Sequence, residues 1–470
     1  MGGSGGTGGT KSTGGSGGGG SAGGTGGSGG GGGAGGSGGG GGAGGTGGSS
    51  TTPDAAPPPS RGPTPHTTTT SFPFPQNREN TSNCIFPTLY DNNKVYVAYE
   101  QWRKDTVTST GLPKGCPSGC LRVQRPSEPS LEQYSTVSEG IGYGMLIAVY
   151  MNDQALFDGL WLYEQQFLDS RYGLMNWYIK ADGSGPGDNP SGVGPATDAD
   201  EDMAYALIMA DKQWGGKGKL NKNYIDFAKA QMSAVWNNEI YNYIYLRAGP
   251  WADDSNLNLS YFAPSYYKVF ATIDQTPTSN WTKVIDTMYT VLNASLSNGN
   301  ATNGLVPAWC DRSGKPNGQA YGSTGGASPT NYQYDSCRTP FRVGLDWCLN
   351  GDKRAQTYVA LTSKFFSTTV GGATQIVDGY DLNGTPHAQY QTGANAQKQS
   401  AAFVGPAGVG AMSDKNYQTF VNDAYGVLAT PYGNPLYPTV GGTYYDDSWM
   451  VLSLLMMTAN FLDFTSITPN

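Results

Sequence analysis

The sequence predicts an all-α domain carried behind a low-complexity arm. From about residue 95 onward apolar residues recur at helical spacing while strand-like alternation is scarce, and residues 1–77 are nearly all Gly, Ser, Thr and Pro. Charged residues make up only 14% of the chain against 12% aromatic, which suits a ring-rich helical core and equally a surface that stacks on sugars.

The arm has two parts. Residues 2–50 are a glycine tract broken by Ser, Thr and Ala, and residues 51–77 turn to Pro and Thr. Neither owns enough apolar surface to offset chain entropy, so a flexible coil followed by a stiffer spacer is expected, together a disordered tether over 1–77. Residues 78–470 are even in composition and long enough for one large core.

Within that domain the first helix is expected at 95–104. Helices at 140–150 and 155–169 follow, the latter with Leu156, Leu160, Tyr163 and Phe167 on one face. The pattern returns at 202–214, 224–236, 261–272, 281–296, 337–349, 355–366, 401–412, 416–428 and 448–461, roughly a dozen helices in antiparallel pairs. Long loops rich in Gly, Asp, Asn, Trp and Tyr separate some of them, notably 180–195 and 249–258. Loops of that length inside a compact domain are usually functional.

Several function classes are excluded early. A net charge of −8 without a Lys/Arg cluster argues against nucleic acid. No run of about 18 apolar residues is present to span a membrane. Met1 runs straight into glycine without a basic start or apolar stretch, so no secretory leader is visible. The six cysteines nonetheless favour an oxidising compartment and export. Cys116-Pro-Ser-Gly-Cys120 sits in a loop where a small disulfide closes easily; zinc would want a second such pair or a nearby histidine.

His66 and His387 are the two histidines, the first in the arm, so carboxylates must carry any acid/base chemistry. That points toward glycosidic bond cleavage. Three runs supply candidates. In Thr136-Val-Ser-Glu-Gly-Ile-Gly-Tyr-Gly-Met145, Glu139 stands where an apolar helix begins, and Thr136 with Glu139 also fits a capping box. Gly140, Gly142 and Gly144 each cost on the order of 1 kcal/mol against alanine in a helix, so a ligand or a tightly crossing helix should require bare backbone there. A proton donor at Glu139 would need burial or a second carboxylate to raise its pKa against the pull of the helix N-terminus.

The second run is Ala196-Thr-Asp-Ala-Asp-Glu-Asp-Met-Ala204. Its Asp-x-Asp-x-Asp start suggests an EF-hand loop, but Met203 and Met209 stand where glycine and a bidentate glutamate are needed. N-capping by Asp198 explains part of it and leaves spare acid groups for a cleft. In the third run, Tyr332-Gln-Tyr-Asp-Ser-Cys-Arg338, Asp335 reads as an N-cap before a solvated charged face of Arg338, Arg342 and Asp346.

Together with Arg122-Val-Gln-Arg125, Trp214-Gly215, Ser260-Tyr-Phe-Ala-Pro264, Gly304-Leu-Val-Pro307, Trp309 and Ile376-Val-Asp-Gly-Tyr380, these runs resemble glycoside hydrolase family 8 over about residues 86–465, above all its bacterial endoglucanases. The resemblance implies an (α/α)6 barrel and an inverting, cofactor-free and metal-free attack on β-1,4-linked glycans. It implies Glu139 as general acid, Asp335 as general base and Asp198 as the residue holding the distorted sugar, with Tyr261 and Arg338 ordering the water and base. Trp177, Trp251, Tyr334, Tyr444 and Tyr445 would contact substrate, Tyr444 and Tyr445 by a looser match. It also raises a disulfide from Cys310 or Cys348 to Cys337 as a way to fix Asp335. The expected protein is a secreted, monomeric β-glucan hydrolase; a xylanase of the same family or a non-catalytic glycan-binding surface protein are the alternatives.

Overall fold

The computed structural model of the protein describes residues 71–76, 78–79, 83–126, 131–274, 280–318, 328–387, 400–430 and 444–469. The expected tether lies, as far as residue 70, outside the described residues. Among the described residues there are twelve α-helices: α1 (Asn92–Thr106), α2 (Ser138–Tyr150), α3 (Gln154–Glu164), α4 (Thr197–Trp214), α5 (Tyr224–Glu239), α6 (Pro264–Ile273), α7 (Trp281–Ser295), α8 (Thr339–Asn350), α9 (Lys353–Lys364), α10 (Ala401–Ala411), α11 (Gln418–Leu428) and α12 (Tyr444–Met457).

The even-numbered helices close a ring. α2 packs on α4, α4 on α6, α6 on α8, α8 on α10, α10 on α12, and α12 back on α2. Each has an outer companion: α3 lies on α2, α5 on α4, α7 on α6, α9 on α8, α11 on α10 and α1 on α12. This is the (α/α)6 barrel.

Residue choice follows the two layers. An outer helix needs one apolar stripe, and α7 buries Val284, Ile285, Met288, Tyr289 and Leu292 while Lys283, Asp286 and Thr290 face solvent. An inner helix is covered on all sides, and every residue of α10 is buried. Its glycines set the spacing: a Cβ on Gly344 of α8 would come within 3.1 Å of the Gly410 Cα, so those two backbones cross in direct contact.

Two boundaries move for a physical reason. α3 stops at Glu164, because 168–169 pairs with 174–175 as a short hairpin turned by Gly173 at φ +69°. α4 starts at Thr197, five residues before the expected start, since its acidic opening looks like a cap in sequence and is helix in fact.

Cys116 and Cys120 are joined, as expected, and a second disulfide links Cys84 to Cys348. The pairing suggested for Cys337 is therefore corrected: Cys310 and Cys337 are buried thiols. Cys348 lies roughly 14 Å down α8 from that helix's first residue, at the wrong end of the barrel to reach Cys337. At the amino side, Phe72 is buried and stacks on Phe464 at 4.2 Å, while Gln213 holds the Phe72 backbone, accepting from its N–H at 2.7 Å and donating to its carbonyl at 2.5 Å. No helix among the described residues is long and apolar enough to cross a membrane.

Candidate active site

The run that carries Glu139 is delivered by a change of backbone state. Thr136–Val137 runs as a strand beside Tyr178–Ile179, the Ser138 N–H donates to the Trp177 carbonyl at 2.8 Å, and α2 begins at once. No capping box forms. The N-cap is Val137, and the Thr136 hydroxyl instead donates to the Val123 carbonyl at 2.9 Å and accepts from Arg122 at 2.9 Å. Glu139 is thereby released from capping and faces the barrel mouth, its side chain 18% exposed.

The glycines beside it answer to crossing elements. A Cβ on Gly140 would meet the Tyr444 ring at 3.4 Å, one on Gly142 the Asp202 Cβ at 3.1 Å, and one on Gly144 the Leu160 side chain at 2.7 Å. The acid-bearing helix is thus pressed against α12, α4 and α3 at successive positions.

Asp198 lies inside the first turn of α4, whose N-cap is Ala196, so the N-cap reading of Asp198 is corrected. Its side chain is sealed at 3% exposure. Asp335 is not an N-cap either: it sits in a turn before α8, its N–H donating to Gln333 Oε1 at 2.9 Å, and Arg338 occupies the cap position. The charged face expected on α8 is not solvated. Arg338, Arg342 and Asp346 are all buried, because α8 belongs to the inner ring.

Arg338 is the hub. Its Nη1 lies 2.6 Å from Glu139 Oε2, 2.7 Å from Asp198 Oδ2 and 2.9 Å from the Tyr143 hydroxyl. Two hydrogens face three oxygens there, so only two of the contacts hold a donated hydrogen at one time. Nε donates to the Ser260 hydroxyl at 2.9 Å, and Nη2 lies 3.8 Å from Asp335 Oδ1. The Tyr261 ring packs against the guanidinium with its centre 5.0 Å away.

Electrostatics separate the groups. Burial pushes the Glu139 carboxyl up to about 7; Arg338 pulls it down, and the nearby Asp198 and Asp335 add to the rise. Burial also raises Asp335, against Arg338 and the Gln333 amide. Tyr444 donates its hydroxyl hydrogen to Glu139 Oε1.

Most predicted aromatic residues gather at this mouth. Trp251 is 40% exposed, with its indole N–H on the Pro195 carbonyl at 3.0 Å, and Trp177 is fixed by the Ser191 carbonyl at 2.8 Å. The Tyr334 hydroxyl donates to Asp378 at 3.2 Å, and the Tyr445 hydroxyl donates to the Tyr334 carbonyl at 2.7 Å. Tyr444 is not an open stacking platform: it is 5% exposed, with Arg125 over its ring at 5.4 Å, and its contact is with the acid. Sequence reasoning passed over Ser260, Tyr143 and Gln333, which orient Arg338 and Asp335. Trp309, which the sequence offers as a landmark without a role, has its buried ring 6.2 Å from Trp251 and 6.3 Å from Tyr261.

A family profile described as "Glycosyl hydrolases family 8" matches residues 74–459. The chain belongs to that family. Endoglucanase A of Acetivibrio thermocellus is 36% identical over 391 residues, covering 81% of this chain and 74% of that protein. The Beta-glucanase of Niallia circulans is 32% identical, covering 83% and 91%. Among solved family 8 structures, the Beta-1,3-1,4-glucanase from Paenibacillus sp. X4 superposes with a TM-score of 0.68 at 30% identity, covering 83% of this chain and 98% of that one. A cold-adapted family 8 xylanase superposes at 0.63 with 21% identity, a likeness of fold.

Proposed function

We propose that the protein is an inverting endo-β-1,4-glucanase, a secreted monomer that cleaves internal linkages of cellulose or related β-glucans. The observation that carries this reading is the placement of Glu139, Asp198 and Asp335 around the single Arg338 guanidinium, with Glu139 pushed up to about 7.

Glu139 is the proton donor. A carboxyl titrating near 7 holds its proton at working pH and gives it to the leaving glycosidic oxygen as the bond to the anomeric carbon breaks. Asp335 is the base. It takes a proton from a water whose oxygen bonds to that carbon from the opposite face, and Arg338 Nη2 offers donors on the same side. Inversion needs the two carboxyls about 6.5–9.5 Å apart to leave room for that water. Glu139 and Asp335 address different nitrogens of one guanidinium, which supports a separation of this kind. Asp198, sealed beside Glu139, anchors the sugar at the cleavage point, and its charge disfavours ionised Glu139.

Trp177 and Trp251 serve as stacking surfaces for glucose rings, and Tyr261, Tyr334 and Tyr445 shape the wall between them. The disulfides and a polymeric substrate support export, and the arm as far as residue 70 acts as the tether. Proton NMR of the first products from a β-glucan tests the reading: the α-anomer should appear first. Immediate β-anomer, or turnover confined to xylan, would overturn it.

A further inference from the structure

One helical turn below the reacting groups the barrel repeats their arrangement without access for substrate. Asp202 follows Asp198 by one turn of α4, Arg342 follows Arg338 by one turn of α8, and Gly142 follows Glu139 along α2. The lower residues touch one another. Arg342 grips Asp202 with two parallel bonds, Nη1 to Oδ1 at 2.8 Å and Nη2 to Oδ2 at 2.9 Å, and the Asp202 Cβ is the atom against which Gly142 is pressed. Glu201 lies 3.3 Å from the same Nη1, and the Tyr266 ring packs on the guanidinium at 5.8 Å, as Tyr261 does on Arg338 one level above.

This strut is unusual in where it is placed. α4 and α8 are not neighbours in the ring, since α6 stands between them, so the pair bridges the barrel interior. Arg342 is 2% and Asp202 1% exposed, and a buried ion pair is commonly no more stable than well-packed apolar side chains of the same volume. What a two-point guanidinium fork supplies beyond an apolar contact is orientation. It fixes the rotation of α8, which follows directly on the Asp335 turn, relative to α4, on which the Glu139 helix rests through Gly142.

The geometry points to Arg342 and Asp202 as a positioning pair that sets the spacing of acid and base for hydrolysis. The inference rests on the hydrolase reading above and deepens it: neither residue touches substrate, and both act through the helices they lock.

The test is the double variant Asp202→Asn/Arg342→Met, which removes both charges together, assayed beside the parent on β-glucan and on a dinitrophenyl cello-oligosaccharide whose leaving group needs no protonation. The expected result is a folded protein with a cooperative melt, KM within about twofold, and kcat on β-glucan down by about 10- to 100-fold, the scale on which small misplacements act. The loss on the activated substrate should be smaller. A merely destabilised barrel lowers the active fraction and both rates by one factor, which overturns the inference, as does a kcat within about twofold of the parent. Should the double variant not fold, Arg342→Lys decides: it keeps the charge and loses the fork, so the same unequal loss supports the pair and parent-like rates refute it. An inactive parent on β-glucan would count against the hydrolase reading itself.

Discussion

Arg338 Nη1 stands 2.6 Å from Glu139 Oε2, yet the Glu139 carboxyl is pushed up to about 7. An ion pair alone would lower it. Burial outweighs the guanidinium, and the charges of Asp198 and Asp335 act in the same sense as burial. The cation is divided among several anions, so no one carboxylate receives its full stabilisation.

The alkaline limb of kcat/KM should therefore lie near pH 7 and belong to Glu139, activity falling as the proton donor ionises. In Glu139→Gln, turnover on β-glucan should drop by at least ~100-fold, the usual scale of general acid catalysis, while binding of cello-oligosaccharides is retained. Equal rates for variant and parent would remove Glu139 from the mechanism.

Asp198→Asn takes away a charge that raises Glu139, so the alkaline limb should move to lower pH in the residual activity. A pH–rate profile of that variant checks the sign. A shift upward would mean that Asp198 does not act on Glu139 through its charge.

Stability should depend on two carboxyls that take no part in the proposed chemistry. Glu164 and Glu239 are buried, and burial pushes each up to about 8. An unfolded chain ionises such groups above about 4.3. Between that pH and about 8 the folded state binds more protons, so unfolding free energy should fall as pH rises and level off above 8. Thermal melts from pH 5 to 8 should show a declining Tm, and Glu164→Gln or Glu239→Gln should flatten the decline.

Removing residues 1–70 should leave a folded, active enzyme, whereas removing 1–76 also takes away Phe72. A buried phenylalanine truncated to alanine costs about 3–5 kcal/mol, and Phe72→Ala should lower the Tm in the same direction. Melting curves of the two truncations side by side decide whether the tether begins before or after that ring.

Each of the twelve helices was legible because two-layered packing imposes a 3.6-residue period or continuous apolarity on every one of them. Boundaries were lost where chemistry and capping use the same residue types: Asp198 and Glu139 look like caps in sequence, and each lies in the first turn of an inner helix. The roles of Arg338 and Arg342 were hidden for the opposite reason. Arginines spaced by four normally mark an exposed face, and only the closed ring places them inside. Likewise the glycines of α2 announced a close approach, but which neighbour approaches is a matter of tertiary arrangement.

Gln213, which clasps the Phe72 backbone, sits near the C-terminal end of α4, about 22 Å along the helix from Asp198. Ser71 and Phe72 thus meet the barrel at its floor, the end of α4 away from Asp198. One helix thereby serves two separate tasks, its opening turn the reacting groups and its closing turn the clasp on the amino-side segment.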